Sequence, residues 1–117
     1  MKNILILFTL LTNSLFGETD FITPIEYASQ LYKNPRGIGC HHCHGDIGQG
    51  KLVAIYTHRE KKKEFRGPAI NNINLNKFYL ALNKVKKGMP RYYLTFKEIK
   101  ALYFFIQENK KVNEDGK

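Results

Sequence analysis

The sequence predicts an all-α fold, a small single domain of about three main helices and the loops that join them. Three observations carry this expectation. Two segments, Thr23-Pro24-Ile25-Glu26 and Thr95-Phe96-Lys97-Glu98, share one capping signature, a Thr cap followed three residues later by a Glu that reaches back to it. Between them Asn74 precedes an apolar stripe at helical spacing, Leu75, Phe78, Leu82 and Val85. No run of residues makes a strand worth defending. At 117 residues the chain accommodates one domain, and 43% apolar content with 13% aromatics builds only a small core.

In chain order, Met1-Lys2-Asn3 and the apolar residues 4–16, followed by Gly17 and Glu18, read as a secretory signal peptide over 1–17, which leaves 18–117 as the domain. The thirteen residues 4–16, interrupted by Thr9, Thr12 and Asn13, fall short of the roughly twenty a membrane span needs, so cleavage near Gly17 is favoured over anchoring. Leu15 departs from the small residue preferred three positions before the cut. The first helix is expected from Pro24 to about Lys33, burying Ala28, Leu31 and Tyr32 and stopping at Asn34-Pro35. Residues 51–73 have poor periodicity and read as loop with at most a short helical turn, with Arg59 to Glu64 as a solvated charged stretch. The second helix is expected over 75–87, ended by Gly88. The third opens at Thr95, buries Ile99, Leu102, Tyr103, Phe105 and Ile106, and frays from Asn109.

The chemistry of the chain concentrates in Cys40-His41-His42-Cys43-His44. Two thiols three apart, followed at once by an imidazole, form the attachment site of a c-type haem. Each thiol adds across a vinyl group to give a thioether, and His44 is then held beneath the iron. Other readings of the cysteines are weaker. A thioredoxin-like dithiol wants a βαβ setting, and no buried strand pattern precedes Cys40. A zinc site lacks a second ligand pair downstream of His44, since His58 alone would have to supply it. A disulfide across two residues would restrain little of the unfolded chain. Export fits the haem reading, because attachment takes place outside the cytoplasm and both cysteines are used by the motif.

A haem iron bound by His44 has a second face, and what meets it decides the function. Met89 is the one methionine beyond the signal segment, set between Gly88 and Pro90 on a stiff turn, and a thioether ligand raises the potential. Its competing role is a core methionine. His58 is the rival ligand, but its charged surroundings suit a surface histidine. His44 also needs an acceptor for its other ring nitrogen, and a carbonyl at or near Pro68 is the candidate, with Pro68 and Ile70 packed against the porphyrin. Gly45, Gly48 and Gly50 are expected to let the backbone pass close to the ring, and His41 and His42 to point outward.

The chain resembles the bacterial class I monohaem c-type cytochromes over nearly all of the proposed mature domain. The landmarks are a helix leading into Cys40-His41-His42-Cys43-His44-Gly45, then Gly67-Pro68-Ala69-Ile70, then Gly88-Met89-Pro90, then Glu98 to Ile106 in a final helix. The resemblance implies one haem c bound through thioethers from Cys40 and Cys43, axial ligation by His44 and Met89, and a Pro68 carbonyl holding His44. It also implies that the first and last helices cross, with Ala28 and Tyr32 near Leu102 and Phe105. Phe105 stands where that family often has tyrosine, and the basic stretch at 59–63 is unusually charged.

The expected function is electron transport by a periplasmic carrier that is not an enzyme. Phe65, Phe78, Tyr79, Tyr92, Tyr93 and Phe96 are candidates to keep water from the haem. With 19 basic and 10 acidic residues, the net charge of +9 suits partners with acidic docking surfaces, such as a membrane respiratory complex, terminal oxidase or peroxidase. Lys61, Lys62, Lys63, Lys84, Lys86, Lys87 and Arg91 are the residues expected to ring the exposed edge. Export makes nucleic acid an improbable partner, and membrane contact is expected only through partners or an uncleaved signal. Two alternatives stay open: a subunit of a larger oxidoreductase, and a ligand-binding sensor or peroxidase-like domain in which Met89 is not a ligand.

Overall fold

A computed structural model describes residues 21–116; the segment read as a signal peptide lies outside them. Helix α1 (Pro24–Lys33) begins where the sequence places it, with a complete capping box. The Glu26 backbone N–H donates to Thr23 Oγ1 at 3.3 Å, and the Thr23 N–H donates to the Glu26 carboxylate at 2.8 Å. Helix α2 (His41–His44) is a single turn carrying the cysteine motif. Strands β1 (Lys51–His58) and β2 (Lys61–Gly67) form an antiparallel hairpin, α3 (Leu75–Asn83) follows, and α4 (Phe96–Asp115) closes the chain behind a second capping box.

The core is the meeting of three helices. Ala28, Leu31 and Tyr32 from α1, Phe78 and Leu82 from α3, and Ile99, Leu102, Phe105 and Ile106 from α4 form one buried cluster. Helices α1 and α4 carry the largest helix contact, with the Tyr32 and Phe105 rings 5.2 Å apart, as the family resemblance implies. Phe78 packs against Tyr103 and Tyr79 edge-on against Phe96, each at 5.5 Å, which seats α3 on α4.

Four expectations are corrected. The fold is not all-α, because residues 51–67 form a hairpin where a loop was expected. Its turn, Arg59-Glu60, holds two non-glycine residues at φ 50° and 63°, so the Gly or Asn that normally signals such a turn is missing. Helix α3 ends at Asn83 rather than at Lys87, and Val85, expected inside, is 78% exposed. Gly88 instead occupies the third position of a tight turn from Lys86 to Met89, where its φ of 83° is the value a type II turn requires. The tail from Asn109 continues as helix to Asp115, supported by Asn side chains that donate to carbonyls four residues back.

Arg36 ties the segment after α1 to the start of α4. Its guanidinium donates to both Glu98 carboxylate oxygens, at 2.7 and 3.0 Å, and to the Tyr93 carbonyl at 2.8 Å. Arg36, together with the Thr95 backbone N–H, holds the Glu98 carboxyl down at about 2. A carboxylate depressed by folding contributes its full stabilisation above its ordinary value of 4.5 and loses it as pH falls towards 2. Glu98→Gln is therefore expected to cost about 1 kcal/mol at pH 7 in chemical denaturation, a difference that shrinks steadily between pH 4.5 and pH 2. A cost that stayed constant through that window would assign it to the capping box rather than to charge.

Candidate haem site

The attachment turn is anchored from both sides. The Cys40 N–H donates to the Tyr32 carbonyl at 2.9 Å, so α2 starts beside the last turn of α1. The buried Tyr32 hydroxyl donates to the Gly45 carbonyl at 2.6 Å and secures the other end. Within the turn, the His44 N–H donates to the Cys40 carbonyl at 2.9 Å, which sets the two thiols and the imidazole on one short helical turn. The base of the hairpin closes on it. A Cβ built on Gly67 would collide with the Cys43 carbonyl, so only glycine fits there.

His44 is 9% exposed, and its Nδ1 lies 2.7 Å from the Pro68 carbonyl oxygen. A carbonyl can only accept, so this contact fixes the proton on Nδ1 and leaves the lone pair on Nε2 free for a metal. Around the imidazole runs a largely apolar cavity of about 470 Å³. Cys40, Cys43, His44, Pro68, Ile70 and Met89 all line it, so one cavity brings together the six residues expected to hold the haem. His58 is not among the lining residues; it sits at the exposed tip of the hairpin. The two cysteines are not joined to each other, and before any attachment burial pushes the Cys40 thiol up to about 11.

Of the six aromatic residues expected to exclude water, Phe65, Phe78 and Tyr92 line the cavity. Tyr79, Tyr93 and Phe96 do not, and Tyr93 and Phe96 are 78% and 56% exposed. Tyr92 donates its hydroxyl to the Ile38 carbonyl at 2.5 Å, and burial raises that hydroxyl to about 12. Lys86 and Lys87 reach the cavity as expected, whereas Lys61, Lys62, Lys63, Lys84 and Arg91 do not line it. Arg66 and Lys77 also line it and escaped the sequence reading; Arg66, directly before Gly67-Pro68, was the legible one.

Two expectations about the motif's surroundings change. Gly45, Gly48 and Gly50 do not line the cavity; they are needed for positive φ values of 82°, 77° and 89° in the turns that carry the chain from α2 into β1. His42 is exposed, but His41 is only partly so, with its Nδ1 enclosed and unpartnered beside Gly39. Enclosure and the neighbouring His42 ring, 4.0 Å away, together lower the basicity of His41.

The chain's residues fit a haem: an apolar slot, two thiols on one turn of helix, and an imidazole whose free nitrogen is set by its acceptor. Such a fold and cavity define a haem-binding helical domain. The family model for cytochrome c matches residues 25–110, and the chain belongs to that family. No curated protein and no solved structure matches it. Membership implies haem c as the cofactor and haem-based electron transfer as the chemistry. Among the described residues no helix is long and apolar enough to cross a membrane.

Proposed function

We propose that this protein is a periplasmic one-electron carrier, with haem c joined by thioethers to Cys40 and Cys43 and ligated by His44 and Met89. The observation that carries this reading is the sharing of one cavity by the Pro68-oriented imidazole and the methionine. When bound, the haem supplies an iron that gains and loses one electron. The residues of the chain do the rest. Pro68 fixes the ring of His44 and strengthens it as a donor. The Lys86 to Met89 turn is a stiff mount for a thioether, which favours the reduced state. Phe65, Phe78 and Tyr92 keep water from the cavity, so little solvent reorganises as the charge changes. The apolar run before Glu18 supports the periplasmic location.

Lys86 and Lys87 at the cavity, with the net charge of +9, favour brief salt-sensitive docking on acidic partners. A peroxidase reading wants a distal acid–base pair, and no Asp, Glu or second His is among the lining residues. An optical spectrum of the oxidised protein is expected to show the long-wavelength methionine–iron band, and Met89→Ala to abolish it and open the reduced iron to carbon monoxide. A parent protein without that band, whose reduced form takes up carbon monoxide readily, would favour the sensor or peroxidase alternative.

A further inference from the structure

The β1–β2 hairpin has no place in the core. Every residue of β1 is exposed, and so is every residue of β2 except Gly67. The hairpin rests on α2 at its base, and among the described residues neither strand has an extensive contact with any other helix. An isolated two-stranded sheet is marginal in water, so a long one exposed on both faces asks for a role.

Its two outer edges differ. Strand β2 carries Lys61, Lys62, Lys63 and Arg66, the charges that protect an edge against pairing. Strand β1 carries no charge from Leu52 to Thr57 and is rich in residues that favour extended structure. Among the described residues the sheet has only these two strands, and none of those residues pairs with the outer edge of β1. A bulge at Val53 disturbs its beginning, but the register runs unbroken from Ala54 to His58.

We propose that the hairpin is a docking arm, whose β1 edge takes up an extended acidic segment of a redox partner as a third strand. The inference rests on the electron-carrier reading and adds the partner's chemistry and its seat. Charge selects the occupant. Residues 51–67 hold six basic and two acidic side chains, a net of +4, which attracts an acidic strand and repels a second copy of this chain. One strand edge also falls short of the area a stable dimer buries, while it suits a transient redox encounter. A membrane surface fits less well, because the cations lie on both faces. Lys63 pairs with Tyr56 on the face of Phe65, and Lys62 pairs with Thr57 on the other, so no face is wholly apolar.

The location suits the function. Phe65 of β2 lines the haem cavity and lies against Gly88, next to Met89. Gly67 fixes the base of the arm against the Cys43 carbonyl. A strand added to β1 is thus held on a scaffold continuous with the attachment turn. Main-chain hydrogen bonds would supply register, and the lysines attraction.

The test uses the haem-loaded chain labelled for amide exchange, and as probe a ten-residue peptide alternating Glu and Val. Its control is the same peptide N-methylated at every residue, which keeps the charge and removes the strand donors. At low salt, the probe is expected to slow amide exchange within residues 54–58 about tenfold, and the control to bind at least about tenfold more weakly. Lys62→Glu with Lys63→Glu should weaken the probe by a similar factor. Equal binding of probe and control would overturn the strand and leave charge steering alone. Protection of β1 without peptide, in a protein that sediments as a dimer, would give the edge to a second copy. Protection by phosphatidylglycerol vesicles in place of the probe would give the arm to a membrane. Cycling with ascorbate and ferricyanide is followed in parallel: a protein that cycles but leaves β1 unprotected loses the arm and keeps the carrier reading, whereas one that does not cycle loses the carrier reading.

Discussion

Replacing Gly67 by alanine is expected to destabilise the protein by about 3 kcal/mol and to lower the fraction of molecules carrying haem. The new methyl would meet the carbonyl carbon and oxygen of Cys43, which are main-chain atoms and cannot rotate away. Neither partner can yield cheaply. On one side the Cys43 backbone belongs to α2, whose ends are held by Tyr32 and whose thiols must stay aligned. On the other side Gly67 ends β2 and leads straight into Pro68, whose carbonyl orients His44. Relief of the clash therefore shifts either the thiols or the imidazole acceptor. Gly37→Ala is the matched control, since a methyl there meets nothing closer than the Tyr92 ring at 3.6 Å, and its cost should stay below about 0.5 kcal/mol. Denaturant midpoints and haem-to-protein ratios of the two variants check the result. Equal midpoints would mean that the hairpin base does not bear on the attachment turn.

What the sequence disclosed follows from how local each signal is. Both capping boxes were legible because Thr23 with Glu26, and Thr95 with Glu98, satisfy each other within four residues. Ala28, Leu31, Tyr32, Ile99, Leu102 and Ile106 were legible because a helix with one buried face repeats its apolar residues at a fixed interval. The hairpin was not. A strand exposed on both faces has no reason to alternate, and β1 does not. Its turn uses Arg59 and Glu60, which looked like part of a solvated charge run. The run Leu52 to Thr57, rich in β-branched and aromatic residues, was the remaining clue. At the site, the spacing in Cys40 to His44 disclosed the chemistry of the turn. The association of Met89 with His44, 45 residues away, rested on its being the one methionine beyond the signal segment, on its stiff setting between Gly88 and Pro90 and on the resemblance, because no local rule links a turn after α3 to the end of α2. Lys77 was missed for the converse reason: in a chain with 19 basic residues, one that stands beside no landmark does not signal a lining position, whereas Arg66 stood directly before Gly67-Pro68.

Removing both thioether anchors, by Cys40→Ala with Cys43→Ala, is expected to cost the protein its fixed tertiary structure once noncovalently held haem is extracted. Among the described residues the buried apolar cluster comprises nine, and beside it lies a cavity of about 470 Å³. Leaving such a volume without packed atoms costs up to about 11 kcal/mol at about 24 cal/mol per Å³. The cavity opens in part to water, so that figure is an upper bound, to be set against the roughly 5–15 kcal/mol that stabilise a whole domain. The three helices have a separate source of order. Their side-chain N-caps and amphipathic faces are local, and the packing of Tyr32 in α1 on Phe105 in α4 requires no thioether. Helical content should therefore outlast fixed packing. The variant is expected to keep most of its far-ultraviolet dichroism, lose its near-ultraviolet signal, bind a hydrophobic dye and unfold without a sharp midpoint. Each single variant retains one possible tether and should keep a cooperative transition while haem remains attached. A haem-free double variant with the parent's midpoint and near-ultraviolet spectrum would mean that the polypeptide packs its own core and that the haem is only cargo.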